Sequence, residues 1–358
     1  MKDGKGLSEY LNTAGKKELA DLFRYYCEPA TAEKRAALSL WANELREKYY
    51  GSKVFFRGLI EFSNYCQNNC FYCGLQRSNS KAKRYRLTQE EIMECCRKGY
   101  KLGFRTFVLQ SGEDAYFSDT LLCKIVSQIK ELFADCAVTL ACGERSYNSY
   151  KSLFKAGADR YLLRHETANE KHYALLHPSE LSLSNRKKCL YNLKEIGYQV
   201  GAGFMVNSPG QSLETLAEDF IFLKEFKPHM IGVGPFIPHK DTVFADYYKP
   251  NSSRTLTVLS LLRIMLPKTL LPATTALGTV DEKGREKGLL AGANVLMPNL
   301  TPAKHRVDYS LYDQKLYTGW EAAEHLPDLA RYLESLGFTP DFSRGDYIDF
   351  QTSTQRLT

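Results

Sequence analysis

The stretch RGLIEFSNYCQNNCFYCG, residues 57–74, joins the end of an apolar run to a loop that contains three cysteines. The run begins at residue 54 and has the length and residue types of a buried β-strand. Comparable apolar, β-branched runs recur at intervals of roughly 25 to 40 residues along the chain. The eight candidate strands are 54–62, 106–112, 137–143, 160–167, 199–206, 230–236, 270–276 and 294–300.

Segments with helical signals separate these candidate strands. One begins at Thr88, which forms a capping-box pattern with Glu91 three positions later, and it ends at Gly103. Gly197 closes another helix in the same way just before a strand. Alternating strands and helices with short connections imply parallel strands and right-handed crossovers. Eight such units predict an α/β fold, a closed (β/α)8 TIM-type barrel, and an open doubly wound sheet is the alternative that uses the same alternation.

The two ends of the chain lie outside the eight units. Residues 1–53 are predicted to form a helical N-terminal extension, 54–318 the barrel, and 319–358 a C-terminal part. That last part contains one predicted helix, about Trp320 to Leu336, and a polar tail. We therefore expect one catalytic domain with appendages.

The composition is that of a globular protein and excludes several classes. Lys plus Arg number 48 and Asp plus Glu 41, so the formal charge is only +7, which argues against nucleic-acid binding. No window approaches 18 consecutive apolar residues, and the first twenty residues are polar, so neither a membrane span nor a secretory signal is predicted. The ten cysteines are then expected to be thiols or metal ligands in a cytoplasmic protein.

Three of these cysteines, Cys66, Cys70 and Cys73, follow a C-x3-C-x2-C spacing in the loop after the first strand. Thiolates suit zinc or iron–sulfur clusters, and a structural zinc site normally has four protein ligands. No fourth Cys or His follows within zinc-finger distance. The triplet therefore favours a cluster with one open iron. A zinc protein that binds RNA through the basic run 77–86 is the alternative of another class, and an ordinary solvated loop is the simpler interpretation of that run.

The triplet resembles that of the radical SAM superfamily, whose members use it to hold a 4Fe–4S cluster that binds S-adenosylmethionine. Over roughly residues 50 to 312 the chain also resembles the HydE family of FeFe-hydrogenase maturases, more closely than it resembles biotin synthases or methylornithine synthases. The segments that carry this resemblance are VLQSGED, YLLRHETAN, GAGFMVNSPGQ, GVGPFIPH, PATTALGT and NVLMPNLTP.

The resemblance implies a site at the carboxyl ends of the strands, the face on which barrels carry their active sites. Its metal ligands are the triplet cysteines. Glu166 is expected to accept hydrogen bonds from the ribose, and Arg186 to pair with the carboxylate of S-adenosylmethionine. The complete set implied for cofactor binding is Tyr72, Gln110, Ser111, Gly112, Glu166, Arg186, Met205, Met297 and Tyr309.

The resemblance further implies a small organometallic iron–cysteine substrate, or a thioether-like one, inside the barrel. Arg164 and Tyr309 are the candidate catalytic residues, and Arg164 is the candidate for holding an anionic substrate. Because Arg164 and Glu166 lie at i and i+2 on one strand face, a purely structural ion pair is the alternative. The residues implied for substrate binding are Arg57, Thr139, Arg164, Thr274 and Thr275.

The activity implied by this resemblance is reductive cleavage of S-adenosylmethionine to methionine and a 5′-deoxyadenosyl radical, in an oxygen-free cytoplasm. Its implied partners are an electron donor such as a ferredoxin or flavodoxin and other hydrogenase maturation proteins, with no membrane. A biotin-synthase-like or methylornithine-synthase-like reaction on a small carbon substrate is the alternative. Some relatives carry further cysteines near the C-terminus for a second cluster, but this chain has no cysteine after Cys189, which predicts a single cluster.

Overall fold

The computed structural model describes residues 4–28, 32–247 and 251–350 as an α/β barrel. Six parallel strands pair in the order in which they occur along the chain, from β2 to β7. The barrel strands are β1 (Lys53–Phe56), β2 (Gly58–Ser63), β3 (Thr106–Ser111), β4 (Ala137–Ala141), β5 (Arg160–Leu162), β6 (Gln199–Val206), β7 (Met230–Pro235) and β8 (Val295–Leu296).

Short stretches of backbone pairing close the sheet into a ring. Leu270 pairs with Met230 of β7, and Pro272 pairs with Val295 of β8. Strand β8 pairs in parallel with β1, and Leu59 of β2 pairs with residue 299 beyond β8. Every strand position therefore has a neighbour on both sides, which confirms the predicted (β/α)8 barrel and excludes the open sheet.

The strands differ in length from the sequence prediction. The segment 270–276 makes only two isolated pairings, because Pro272 has no N–H to donate to a ladder and a helix already begins at Thr275. The predicted first strand is interrupted at Arg57 and so forms β1 and β2. These interruptions remove hydrogen bonds between neighbouring strands locally, but the ring of strands stays closed.

Helices cover the outer face of the ring. The predicted capping box is confirmed, since Thr88 accepts from the N–H of Glu91 and the Glu91 carboxylate accepts from the N–H of Thr88. Gly103 and Gly197 end their helices with positive φ angles of 98° and 107°, a conformation that glycine adopts without strain. These helices are α4 (Gln89–Lys101), α5 (Asp119–Leu132), α6 (Tyr147–Lys155), α7 (Glu170–Leu176), α8 (Leu183–Ile196), α9 (Leu213–Phe226), α10 (Ser253–Met265), α11 (Thr275–Val280), α12 (Gly284–Leu290) and α13 (Ala303–Arg306).

Three N-terminal helices pack on the outside of this layer. Helix α2 packs on α9, where the rings of Phe23 and Phe220 lie 4.8 Å apart, and α1 and α3 pack on α10. Their bounds are α1 (Gly4–Thr13), α2 (Lys16–Cys27) and α3 (Ala32–Tyr50). Within the described ranges, none of the helices is both long and apolar enough to cross a membrane.

The C-terminal segment closes the amino-terminal end of the barrel. Two short 3-10 turns precede helix α14 (Leu326–Ser335), so the helix begins later than predicted. The segment predicted as a polar tail then forms β9 (Thr339–Asp341), which pairs in parallel with β1. Beyond it, the ring of Phe342 stacks on Phe56 with a centroid distance of 5.0 Å. Residues 351–358, the rest of the predicted tail, lie outside the described ranges.

This closure surrounds Arg57, which the sequence assigned to the substrate cavity. The side chain is 1% exposed and donates to the carbonyl of Gly345, at the end of the barrel opposite the cysteine loop. Arg160 lies beside it, and its Nη2 is 2.6 Å from Oδ1 of Asp346. Burial lowers the pKa of Arg57, and the charge of Arg160 lowers it further. The tail therefore uses this guanidinium as a structural donor, and the contact of Arg57 with a substrate stays a prediction.

We expect Asp346→Asn to destabilise the protein by about 3 kcal/mol at neutral pH, because it leaves Arg160 buried without a carboxylate. Burial opposes ionisation of Asp346, but Arg160 and Arg344 outweigh it and hold the pKa of this carboxyl well below its usual range. Its stabilising contribution is therefore complete above about pH 4 and declines as the pH falls toward the folded-state pKa. Urea denaturation of both proteins at several pH values measures this difference.

Asp349→Asn is the matched control within the same tail. Asp349 pairs with Lys268 at the surface, and both side chains are well exposed, at 55% and 38%. Such pairs add little stability, so this variant should denature like the wild type. Equal losses from both substitutions would contradict a specific role for the buried cluster.

Candidate active site

The loop after β2 carries the cysteine triplet at the carboxyl end of the barrel and is fixed by neighbouring loops. The backbone N–H of Phe71 donates to the carbonyl of Leu176 in α7 over 3.0 Å. The N–H of Gly74 donates to the carbonyl of Leu311 over 2.9 Å. A Cβ atom at Gly74 would collide with the carbonyl oxygen of Ser310 and with the ring of His239, so this approach requires glycine. Distant parts of the chain thus hold the loop in one shape.

The three thiols of the loop lie close enough to affect one another's pKa. Burial raises the pKa of Cys70, and the neighbouring Cys73 and Cys66 raise it further. Burial likewise raises the pKa of Cys73, to about 12, with Cys66 as the next cause. Within the described residues, no three His, Cys, Asp or Glu side chains are placed to ligate a single metal ion. Three thiols on one short loop, with no fourth Cys or His close by in the sequence, suit an iron–sulfur cluster with one open iron, because a structural zinc site normally has four protein ligands.

Gly112, at the end of β3, lies directly against this loop. A Cβ atom at Gly112 would lie 2.7 Å from Cβ of Cys66 and 2.2 Å from the carbonyl oxygen of Tyr65. The next residue, Glu113, accepts from the backbone N–H of Gln67 over 2.9 Å. Only glycine allows this close approach, so Gly112, which the resemblance assigns to cofactor binding, borders the cysteine loop.

Tyr72 forms one wall of the site. Its hydroxyl lies 3.3 Å from Nε2 of His177, and its ring packs against the apolar cluster that contains Met205 and Leu176. Burial raises the pKa of Tyr72, and Glu166 is the next cause. The structure therefore brings together Tyr72, Met205 and Glu166, three residues that the resemblance assigns to the adenosyl part.

The end of β5 presents Arg164 and Glu166 on one side. Nη2 of Arg164 is 3.0 Å from Oε2 of Glu166, which is the ion pair that the structural alternative predicted. Glu166 has φ of 64°, and its N–H donates to the carbonyl of Gly203 over 3.1 Å. His165 turns the other way and is fully buried, with Nε2 3.3 Å from Asp219 on α9. Because His165 points outward to α9, its two neighbours, Arg164 and Glu166, point towards the barrel interior.

Arg186 lies next to this strand end and is held by a carboxylate that the sequence analysis missed. Its Nε pairs with Glu144 after β4, and its Nη1 donates to the carbonyl of Arg164 over 3.0 Å. In the sequence, the signal for Glu144 was only its position, one residue after Gly143, the glycine that ends a predicted strand. A cavity of about 260 Å³ opens beside it. The residues that line this cavity include Gln67, Glu113, Cys142, Glu144 and Arg145.

A second polar group lies where β2, β3 and the segment after α13 meet. Nε2 of Gln110 donates to the hydroxyl of Tyr309 over 3.3 Å, so two predicted residues are in contact. Glu61 is fully buried and is 2.7 Å from Nζ of Lys315, while Asn299 donates to its other oxygen over 2.8 Å. Glu61 and Lys315 were not predicted, because the sequence places Glu61 in an apolar strand and Lys315 in a polar loop.

The two threonines predicted after residue 272 have different surroundings. The Oγ1 atom of Thr274 is buried and has no hydrogen-bond partner among the described residues, and a Cβ at Gly234 would lie 2.9 Å from it. Thr275 begins α11, and its hydroxyl donates to Glu321 and accepts from Arg285. The hydroxyl of Thr274 is therefore available to a ligand. The hydroxyl of Thr275, which is also predicted to contact a ligand, is already paired with Glu321 and Arg285.

The remaining predicted residues lie at different depths. Met297 is half-buried against the apolar cluster formed by β1, β7 and β8. Thr139 is next to Arg160 in the strand register and lines a cavity of about 10 Å³ with it and Arg57, near the closed end. Ser111 donates to the carbonyl of Gly112 over 2.7 Å. Thr139 thus lies lower in the barrel than the cysteine loop.

The basic run 77–86 contacts the cysteine loop and its neighbours. Arg84 donates to carbonyls of the cysteine loop itself, and Arg86 pairs with Asp114, which supports the interpretation of this run as a structured surface loop. The sequence contains no cysteine beyond Cys189. All the cysteines outside the triplet are free thiols: Cys27, Cys95, Cys96, Cys123, Cys136, Cys142 and Cys189.

Comparison with known proteins identifies the family. A model described as the radical SAM superfamily matches residues 60–223. The FeFe-hydrogenase maturase subunit HydE of Thermotoga maritima is 47% identical over 304 residues, which cover 85% of this chain and 86% of that protein. The 3-methylornithine synthase of Methanosarcina barkeri is 29% identical over 301 residues, 84% of this chain and 83% of that protein.

Two solved structures share the fold. Methylornithine synthase (PylB) superposes with a TM-score of 0.79 at 26% identity and covers 94% of this chain and 97% of that one. The FeFe-hydrogenase maturase HydG from Carboxydothermus hydrogenoformans superposes with a TM-score of 0.80 at 22% identity, over 97% and 81% of the two chains, and supports the fold alone. The chain belongs to the radical SAM superfamily and, within it, to the family of the FeFe-hydrogenase maturase subunit HydE.

Proposed function

We propose that this enzyme cleaves S-adenosylmethionine reductively and directs the resulting radical at a small substrate in the maturation of FeFe hydrogenase. The observation that carries the proposal is the close approach of the cysteine loop, which includes Tyr72, to Gly112, with Arg186 and Glu166 both in contact with Arg164 at the end of β5. The identity of 47% to a HydE maturase supports the biological role.

The protein residues position the reactants. Cys66, Cys70 and Cys73 would hold a 4Fe–4S cluster, Arg186 would bind the carboxylate of S-adenosylmethionine, and Glu166 would accept from its ribose. When bound and reduced, the cluster and S-adenosylmethionine supply a 5′-deoxyadenosyl radical. Met205 and Tyr72 enclose the adenosyl side with apolar surface and exclude water from it.

The substrate pocket is proposed to lie below this opening, where polar groups are available. Two nitrogen atoms of Arg164, Nε and Nη2, are buried without a hydrogen-bond partner among the described residues, although Nη2 is near Glu166. The free hydroxyl of Thr274 faces the same interior, and Tyr309 contributes a phenol. A cation flanked by hydroxyl donors suits a small anionic substrate, such as an organometallic iron–cysteine species with cyanide and carbonyl ligands.

Anaerobic reconstitution should give about four irons per chain, because a single three-thiolate site holds one cubane. Cys95 and Cys96 are adjacent on α4 and diverge by about 100°, so they do not offer a second set of ligands. Iron analysis and electron-paramagnetic resonance of the reduced protein measure the number of clusters. A reproducible content near eight irons with two distinct signals would contradict the single site.

The decisive experiment mixes the reconstituted, reduced protein with S-adenosylmethionine and each candidate substrate. We expect the iron–cysteine species to increase the release of methionine and to be altered itself, with a ferredoxin or flavodoxin as donor and the other maturation proteins as acceptors of the product. A matched reaction contains an amino-acid substrate of the 3-methylornithine synthase type. Turnover of the amino acid alone would favour the alternative, and a colourless zinc-loaded protein without cleavage would reject both.

A further inference from the structure

The hydroxyl of Tyr173 is the feature of the site that its described surroundings leave unexplained. Tyr173 lies on α7, is 1% exposed, and stacks its ring on His177 with a centroid distance of 3.9 Å. Its hydroxyl is buried and has no hydrogen-bond partner within the described part of the chain. The carbonyl of Leu176 in α7 accepts a hydrogen bond from the cysteine loop. The helix that carries this hydroxyl therefore contacts the proposed cluster site.

The charged groups that act on this hydroxyl are those of the proposed cofactor site. Burial raises the pKa of Tyr173, Arg186 opposes that rise, and Glu144, Cys70 and Glu166 add to it. Arg186 is already paired with Glu144 and donates to the strand end beside it. The ring of Tyr173 also stacks on His177, whose Nε2 lies 3.3 Å from the hydroxyl of Tyr72 on the cysteine loop, so the phenol borders the proposed cofactor site.

Several other buried tyrosines of the barrel have acceptors for their hydroxyl groups. The hydroxyl of Tyr198 donates to the carbonyl of Tyr150 over 2.8 Å, and that of Tyr161 donates to the carbonyl of Gly143 over 2.9 Å. Tyr85 donates to the carbonyl of Glu61 over 2.7 Å. A buried hydroxyl without an acceptor destabilises the folded protein, so an acceptor that arrives with a ligand would explain why a tyrosine is present.

We propose that the Tyr173 hydroxyl donates a hydrogen bond to the methionyl carboxylate of S-adenosylmethionine, beside Arg186. This inference rests on the proposed function, since it concerns the same site. The carboxylate is favoured because it is the anionic group of the cofactor, Arg186 is proposed to bind it, and a phenol donates well to an anion. Tyr173 would then be a cofactor-binding residue. The hydrogen bond formed on binding would offset the destabilisation that its unpaired hydroxyl causes in the free protein.

The test compares Tyr173→Phe with Tyr198→Phe in reconstituted protein without substrate. Removal of the unpartnered hydroxyl should not lower the thermal midpoint of the ligand-free protein, but it should weaken S-adenosylmethionine binding about ten-fold. Removal of the paired hydroxyl of Tyr198 should lower the midpoint by about 2–4 °C and leave the affinity unchanged. A Tyr173→Phe protein with wild-type affinity, or with a lowered midpoint, would overturn the proposal.

5′-Methylthioadenosine, which has no methionyl carboxylate, identifies the group that is contacted. Tyr173→Phe should bind it as well as the wild type does, while its affinity for S-adenosylhomocysteine falls about ten-fold. Equal losses for both ligands would place the contact elsewhere and overturn the carboxylate assignment. Wild-type protein that binds none of these ligands would instead reject the proposed function, so the two failures are distinguishable.

Discussion

Cys70→Ala is expected to abolish the release of methionine from S-adenosylmethionine while the barrel stays folded. Two remaining thiolates do not hold a cubane with one open iron, so the chemistry loses its electron source. The fold should survive because Cys70 lies in the irregular loop between β2 and α4, outside every strand of the ring. Iron content, methionine release and circular dichroism of the variant measure the three parts of this expectation.

Cys123→Ala is the matched control for loss of a thiol. Cys123 is a half-buried cysteine on α5, on the outer layer of the barrel, and is not part of the triplet. This variant should keep its iron and its cleavage activity. If Cys70→Ala kept both as well, the assignment of the triplet to a cluster would be wrong.

Arg186→Ala should weaken S-adenosylmethionine binding about ten- to a hundred-fold and also destabilise the protein by about 3 kcal/mol. The affinity falls because the proposed carboxylate contact is lost. The stability falls because Glu144, whose side chain is only 13% exposed, is left without its cation. Equilibrium binding and urea denaturation measure the two losses separately.

The double variant Arg186→Ala with Glu144→Ala separates binding from folding. Removing both partners of a buried pair costs much less than removing one, so most of the stability should return. The affinity should remain low, because no guanidinium faces the carboxylate. Recovery of affinity in the double variant would show that Arg186 only neutralises Glu144 and does not bind the ligand.

The sequence predicted the features that depend on local pattern. The alternation of apolar runs and capped helices was sufficient for the barrel, since each signal lies within a few residues, as with Thr88 and Glu91. The triplet was equally clear, because its ligands are separated by only a few positions. Its closeness to Gly112, however, depends on a missing Cβ and became visible only in the structure.

Contacts between distant parts of the chain were not predictable from one sequence. Glu61 pairs with Lys315, which is 254 positions away, and neither residue belongs to a periodic pattern that marks it. The contact of Arg57 with the tail was not predictable for the same reason, because its acceptor, Gly345, lies in a segment without strand signals. A charged residue in an apolar strand predicts that a partner exists, but not where along the chain it lies.

The pairing of β9 with β1 determines when the barrel is completed during synthesis. Lys53 lies opposite Thr339, so the edge of the first strand is covered by a segment that is synthesised after all eight barrel strands. Until that segment emerges, a strand edge and the two arginines beneath it are uncovered, which is the condition under which nascent chains associate wrongly. The earliest strand therefore stays unprotected until synthesis has passed the whole barrel, and a truncation before Thr339 would leave its edge open.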